Sequence, residues 1–463
     1  MTNTVITSAG KTGKDRAIVM GGSIAGLAAS RVLSDHFHEV ILVERDRFCA
    51  MGEHRRGVPQ GRHTHGLLAG GLRALERFFP GLFEEAQRAG GLGVDLTRDA
   101  YWCFEGGEYR RFASDLEGLL ISRPLLEGII RERVRCISNV HFWYGCQVQG
   151  LISSSDNRRI TGIKLGAETA VHPELADLVI DATGRGSHSP GWLEAIGYRK
   201  PEEDRIEVNM SYATCHFLRT PDHLDGALMA SIPATPNNKR GGVIVAQEGN
   251  RWVVSLTARS GETVPTDLGS FIEFARTLPA PHIYNVISRA QAIGEPQAAR
   301  FPASVRRRYE RMNRFPEGFL VLGDAICSFN PVYGQGMSVA VLEAGELDKT
   351  LQQGCRKLAQ CFFARAAKIV DAPWSMAAGN DLRMPDVPGK RTVAGHFLHW
   401  YLAKLNMAAR YDMSAVMAFQ KAKNLLAPPQ SLLKPSLMAR VLSAAFSLRP
   451  VTRTSAKSAQ QTA

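Results

Sequence analysis

An α/β fold is predicted here: a parallel, doubly wound sheet, an inserted antiparallel β-sheet domain and a C-terminal helical segment. Three stretches carry the prediction. Residues 17–45 read as an apolar strand, a glycine turn, a small-residue helix and a second strand, and residues 318–338 (GFLVLGDAICSFNPVYGQGMS) repeat the strand–glycine turn–helix pattern. Between them, residues 200–310 are β-rich, with turns such as PATPNNKRGG.

In chain order, residues 1–15 (MTNTVITSAGKTGKD) form a loose polar arm without the apolar core of a secretory signal, so export is not expected. The turn GGSIAG places Gly21, Gly22, Ser23 and Gly26 between strand and helix, and HEVILVER ends the next strand in Glu44-Arg45. This is the dinucleotide-binding layout: turn glycines, a diphosphate on the helix N-terminus, then an acid for ribose hydroxyls. Ser23 replaces the middle glycine of the fingerprint, which is tolerable if its hydroxyl reaches the phosphate. Glu44 favours a ribose diol over a phosphorylated ribose, hence FAD or NAD rather than NADP. Residues 46–70 read as a long loop leading into a helix from about Leu67, and long loops in compact domains are usually functional. Residues 121–134 form a helix, with Ser122 as cap, Pro124 in the first turn and an apolar stripe of Leu125, Leu126, Ile129 and Ile130. From Val140 to Ala182 the pattern is strand, polar-tipped meander and return strand.

The substrate-domain strands of residues 200–310 offer Met210, Tyr212, Phe217, Met229 and Val254 as an inner wall or simply as core, and residues 306–312 (RRRYERM) read as a solvated helix face. In the 318–338 stretch the strand ends in Gly323-Asp324, where open α/β sheets hold ligands, and the carboxylate suits a sugar or ribityl hydroxyl. Gly334 and Gly336 allow close backbone approach to a flat ligand, and the helix beginning near Met337 offers unpaired N–H groups and a positive dipole end. Residues 339–354 form an amphipathic helix, and residues 355–448 are predominantly helical around the loop at 384–391. The expected domains are therefore 16–199 with 311–354, 200–310, 355–448 and a basic tail, 449–463.

Composition bounds the function. With 463 residues, 44% of them hydrophobic, the chain can bury a sizeable core, while a mean hydropathy of −0.13 without an 18-residue apolar run argues against a transmembrane helix. Eight cysteines without a C-x-x-C pair or a zinc-spaced His set read as reduced thiols of a cytoplasmic protein, and no metal site is expected. Net charge is +12, and no acid follows Asp412. Such a tail suits peripheral contact with an anionic membrane, and LLKPSLMARVLSAAFSLRP, basic and apolar together, could either lie on one or cap the protein. Nucleic acid is not expected, since the stretch after Asp412 holds two aromatics, Phe419 and Phe446, and no recognised binding module.

Taken together, GGSIAG with Glu44 and GDAICSFNPVYGQGMS resemble the FAD-dependent monooxygenase superfamily, the para-hydroxybenzoate hydroxylase- and squalene epoxidase-like flavoproteins, from about residue 16 to about 350. The resemblance implies a Rossmann-like FAD-binding domain and insertion of one oxygen atom from O2 into an apolar aromatic or olefinic substrate, isoprenoid or polyene included. Hydroxylation or epoxidation would proceed by a flavin C(4a)-hydroperoxide, with NADH, NADPH or a partner flavin reductase as electron donor. An FAD-dependent reductase or dehydrogenase of the same fold is the alternative, and the W-x-W-x-I-P signature of flavin halogenases is missing. By the same resemblance Arg123 binds the pyrophosphate, a surface salt bridge being the plainer reading, and Val148 meets adenine through its backbone. Asp181 to Gly184 lie on the diphosphate side, although DATGRGS departs from the family's Asp-Gly signature. Gln60, His63 and His65 run along the flavin, the two histidines being the candidate catalytic groups. Pro331, Gly334, Gln335, Gly336 and Met337 shape the flavin face and bond its anionic pyrimidine edge. The protein must otherwise exclude water and hold the substrate close.

Overall fold

The computed structural model describes residues 15–105, 107–166, 171–259 and 261–447. The expected polar arm, Asp15 apart, and the tail at 449–463 lie outside the described residues.

The apolar runs at Arg16–Met20, Glu39–Glu44, Val140–Tyr144, Leu178–Asp181 and Phe319–Val321 form one parallel sheet in the order Phe319–Val321, Leu178–Asp181, Arg16–Met20, Glu39–Glu44, Val140–Tyr144. Ile18, Val19, Ile41, Val179 and Leu320 are fully or almost fully buried, as a parallel sheet covered on both faces requires. The first turn is tight for a steric reason. Gly21 has φ +101°, and a β-carbon there would stand 2.7 Å from the Ala182 carbonyl oxygen, while one at Gly26 would stand 1.8 Å from that of Gly21. Helices Ile24–Leu33 and Gly336–Gln352 pack against each other, which brings together the two glycine turns from strand ends that flank Leu178–Asp181. The meander forms as expected, from Gln147–Ser153, Ile160–Gly166 and Val171–Leu175.

The second sheet has eight strands, in the order Cys327–Ser328, Ala292–Arg307, Glu203–Leu218, Arg251–Ala258, Arg240–Gln247, Met229–Ile232, Ala100–Phe104, Gly107–Glu108. Three of these, Cys327–Ser328, Ala100–Phe104 and Gly107–Glu108, fall outside the expected 200–310 insertion. Ala100–Phe104 pairs in parallel with Met229–Ile232, a contact more than a hundred residues away in sequence that no local pattern announces. Residues 306–312 are no solvated helix: Arg306 lies within the long strand Ala292–Arg307, 2% exposed and ion-paired to Asp371 at 2.7 Å, and Tyr309 is buried in a short 3₁₀ turn. Strand alternation divides the residues offered for the inner wall. Phe217 and Val254 join Ala213, Cys215, Trp252 and Leu256 in a core with Phe271 and Ile283 of the covering helices, and Met210 packs on Val208 and Phe301. Tyr212, Thr214 and Ser255 lie on the opposite, polar face, which meets the 46–66 loop.

The C-terminal region is helical at Leu358–Asp381, Val393–Ala408, Met413–Lys423 and Pro435–Ser447. The last helix turns its apolar side inward, Leu437 and Val441 joining Tyr401, Leu405, Trp102 and Tyr109 in one cluster, as a capping helix does. No described helix is long and apolar enough to cross a membrane.

Candidate functional site

The two glycine turns meet directly. A β-carbon at Gly323 would lie 2.8 Å from the Ala25 methyl in the first turn of the first helix. Arg123 spans them: its Nη2 donates to Ser23 Oγ at 2.8 Å, and its charge, with that of Arg185, faces Asp324.

On the first-turn side every charge is matched. Glu127, 2% exposed, accepts from Arg123 Nε at 2.8 Å, from Arg55 Nη2 at 2.8 Å and from Ser23 Oγ at 2.5 Å. Burial opposes its ionisation, but Arg123 and Arg55 outweigh it and hold the carboxyl at about 2. Arg55 also donates to Glu44 Oε2 at 2.9 Å, and the Gly22 N–H reaches the same oxygen at 2.8 Å. The Ser23 hydroxyl, expected to reach a phosphate, instead donates to Glu127. The first helix has no side-chain cap, which leaves its leading N–H groups open to an anion. Arg123 is thus a half-buried member of this network rather than half of a surface salt bridge. Arg45 points away and is exposed, and Val148 lies half-buried in the meander. Asp181 is fully buried and saturated, with Thr183 N and Oγ1, Ser187 Oγ and Ser189 Oγ all donating to it, so it shapes the return strand's exit. Gly184, φ +79°, brings that exit against Asp324, whose Cβ lies 3.9 Å from where its own would stand.

On the second-turn side the polar groups are unmatched. Asp324 accepts no hydrogen bond among the described residues, and burial raises its pKa against the pull of Arg123 and Arg185. Its Oδ1 lies 3.3 Å from where a Gly336 β-carbon would stand, at the start of the Gly336–Gln352 helix, which also lacks a side-chain cap. Gln335 is 4% exposed and its Oε1 finds no partner. Below them Glu343 accepts the Gly323 N–H at 2.6 Å on one oxygen, while the other is unbonded. Its burial, reinforced by Asp324, pushes the carboxyl up to about 8. Pro331 opens the short 3₁₀ turn ending at Gly334, φ +65°, and Met337 is buried at the helix start. This loop is clamped from outside, Asp381 accepting from Tyr333 Oη and Arg259 Nη2, both at 2.7 Å, and from Asn330 Nδ2 at 3.1 Å.

The 46–66 loop lies across the polar face of the second sheet. His63 Nδ1 is 2.9 Å from Thr214 Oγ1, its ring edge-on to Tyr212, and Thr64 Oγ1 meets Ser255 Oγ at 2.7 Å. His65 Nδ1 is 2.9 Å from the His63 carbonyl, which can only accept, so that nitrogen carries the hydrogen and Nε2 faces Arg123 at 3.5 Å. Burial, then neighbouring cations, lowers His63 to about 4 and His65 to about 3. Both are neutral near pH 7.

Arg55, Glu127, Arg259 and Asp381 were not foreseen. Glu127 had a signal, four residues after Arg123 on a helix; the others are joined only by the fold. The structure also gathers Cys103, Glu108 and His282, where no metal-ligating set was expected. There the imidazole lies between its partners, Nδ1 3.7 Å from the thiol and Nε2 3.3 Å from the carboxylate, which is the geometry of hydrogen bonds on two sides of a ring rather than of one chelated ion.

The fold is shared with solved structures of a flavin-dependent brominase and an oxygenase. The chain superposes on the flavin-dependent brominase Bmp2 with a TM-score of 0.66 at 13% identity, covering 93% of this chain and 98% of that one. On a variant of 2-methyl-3-hydroxypyridine-5-carboxylic acid oxygenase the TM-score is 0.59 at 17% identity, covering 89% and 98%. At such identities the likeness establishes the fold. No family model matches the sequence. The chain belongs to the same family as Protein Rv3254 of Mycobacterium tuberculosis, to which it is 34% identical over 353 residues, 73% of each protein.

Proposed function

We propose that this protein is an FAD-dependent monooxygenase that inserts one atom of O2 into an aromatic or olefinic substrate, by hydroxylation or epoxidation, with NADH, NADPH or a partner flavin reductase supplying electrons. The observation that carries the reading is Arg123, bonded to the first glycine turn and facing Asp324 of the second, which makes the two turns one cleft. The groups present fit FAD. An uncapped helix start with a guanidinium beside it suits a pyrophosphate, Glu44 suits ribose hydroxyls, and the unbonded Asp324 suits a ribityl hydroxyl. Gln335 Oε1, buried without a partner, can accept from a ring N–H, and the uncapped Gly336–Gln352 helix favours negative charge at a pyrimidine edge.

When bound and reduced, FAD supplies the activation of dioxygen. The chain's own part is to bind, orient and exclude water. Asp381 fixes the loop of Pro331 to Gly334, and the sheet face above carries Tyr212 with the Thr214 and Ser255 hydroxyls. This polar roof favours a substrate with a flat apolar body and a hydrogen-bonding group, a narrower class than the apolar aromatic or olefinic one expected from sequence. His63, neutral and bonded to Thr214, can hold such a group but is a weak base.

The test is the visible spectrum of the purified protein, then donor oxidation matched against oxygen uptake over a panel of phenols and isoprenoids. Oxygen-18 from labelled O2 is expected in the product. Protein that stays colourless in excess FAD, or that reduces its substrate under strict anaerobiosis, overturns the proposal.

A further inference from the structure

The helix Val393–Ala408 is apolar on the wrong side. Its inner face is ordinary: Tyr401, Leu405 and Ala408 are buried, and Tyr401 Oη donates to the Leu432 carbonyl at 2.7 Å. Its first half also carries Val393, Phe397 and Trp400 outward, 87%, 49% and 49% exposed, with Leu398 beside them. The spacing of four and three residues puts the three on one stripe, and the rings of Phe397 and Trp400 touch at 5.8 Å between centroids. A single exposed apolar residue needs no explanation, but a contiguous ridge of Val, Phe and Trp does.

Charge says what covers it. From residue 387 to the end of the chain the sole acid is Asp412, and it is bound to Arg440 at 3.0 Å. Lys390 and Arg391, both exposed, stand just before Val393, and Lys404 follows Trp400 by one turn on the same stripe. Arg391 is held in place by the Met384 and Val387 carbonyls at 2.9 and 3.0 Å, so its charge is fixed at the helix start. A ridge of aromatic and aliphatic side chains framed by cations without counter-charges matches an anionic lipid surface, where the rings enter the acyl boundary and the bases meet headgroups. A second copy of this chain would bring the same cations against themselves.

We infer that the Val393–Phe397–Trp400 ridge, with Lys390, Arg391 and Lys404, seats the protein on anionic membranes as a peripheral contact, while the Pro435–Ser447 helix caps the protein. The contact goes beyond the oxygenase reading and does not depend on it.

The test is flotation of the full-length protein with vesicles of phosphatidylcholine, with and without phosphatidylglycerol. Binding is expected only where phosphatidylglycerol is present, and is weakened by salt. The pair Phe397→Ser and Trp400→Ser should lower it about tenfold per residue, with thermal midpoint and elution volume unchanged because both side chains already face solvent. A readout without variants is quenching of tryptophan fluorescence by brominated acyl chains in the unaltered protein. Absence of flotation with anionic vesicles, equal binding by the double variant, or a dimer that the variant splits without any vesicle binding would each overturn the inference.

Discussion

Two buried glutamates mark the difference between the halves of the cleft. Glu127, under the first glycine turn, is held at about 2 by two arginines, whereas Glu343, under the second, is pushed up to about 8 by burial with Asp324 near it. Their burial is alike and their company is not. The first half is a closed network in which each charge has a partner, so it is pre-formed. The second leaves Gln335 Oε1 and one oxygen of Glu343 buried without a partner, which costs stability unless something bonds them, and leaves the half-buried Asp324 without a hydrogen bond among the described residues. On the proposed reading, the nucleotide grip is built into the fold, while the ring grip is completed by the cofactor it binds.

The comparison breaks most readily at Glu127. Replacing it with alanine strands Arg55 and Arg123 in a buried site, and a loss of about 3–5 kcal/mol is expected in urea unfolding. Because the folded pKa lies below the unfolded one, the stability that Glu127 confers is present above the ordinary carboxyl value of 4.5 and fades as pH falls towards 2. The acid limb of the stability profile should therefore flatten in the variant.

Glu343 predicts the opposite sign. Its folded pKa is raised, so its contribution is complete below 4.5 and is lost as pH rises through about 8. Glu343→Gln keeps an acceptor for the Gly323 N–H and removes the titration. Apoprotein carrying it should gain a few kcal/mol over the unaltered chain on the alkaline side of that range and little on the acid side. Equal unfolding midpoints across the range would mean that the two halves are electrostatically alike.

Asp324→Asn separates grip from stability. The half-buried carboxylate, unpaired among the described residues, is replaced by a neutral amide of the same size, so the apoprotein should unfold no more easily, while FAD affinity falls about tenfold to a hundredfold through loss of a charged acceptor. Flavin titration followed by fluorescence quenching reads the affinity. A variant that binds FAD as well as the unaltered chain would show that the carboxylate serves the strand–helix corner alone.

How far the sequence reached follows from the range of each interaction. The parallel core, both glycine turns and the Ser122-capped helix are local patterns of apolar runs, glycines and caps, and they stand where they were expected. Arg123 was singled out by resemblance, but Arg55, which shares Glu127 with it, lies in an irregular loop and reaches that carboxylate across 72 residues, which periodicity cannot detect. The inward turn of Phe217 and Val254 was invisible for another reason: alternation sorts a strand into two faces and does not say which one a helix will cover. The clamp of Asp381 on Tyr333 joins a C-terminal helix to the second glycine loop, and neither segment carries a mark of the other.

Arg45 carries the smallest expected effect and draws the outer edge of the nucleotide half. The sequence put it beside Glu44 in the cofactor site, yet strand alternation turns consecutive side chains to opposite faces, and Glu44 is the one turned inward to Gly22 and Arg55. Arg45 is exposed, and a solvated cation at that distance from the cleft is screened. Arg45→Ala should leave the unfolding midpoint where it was and change FAD affinity by less than about twofold. A larger loss, restored by lysine and suppressed by salt, would extend the grip on the nucleotide past the buried network to the rim of the sheet.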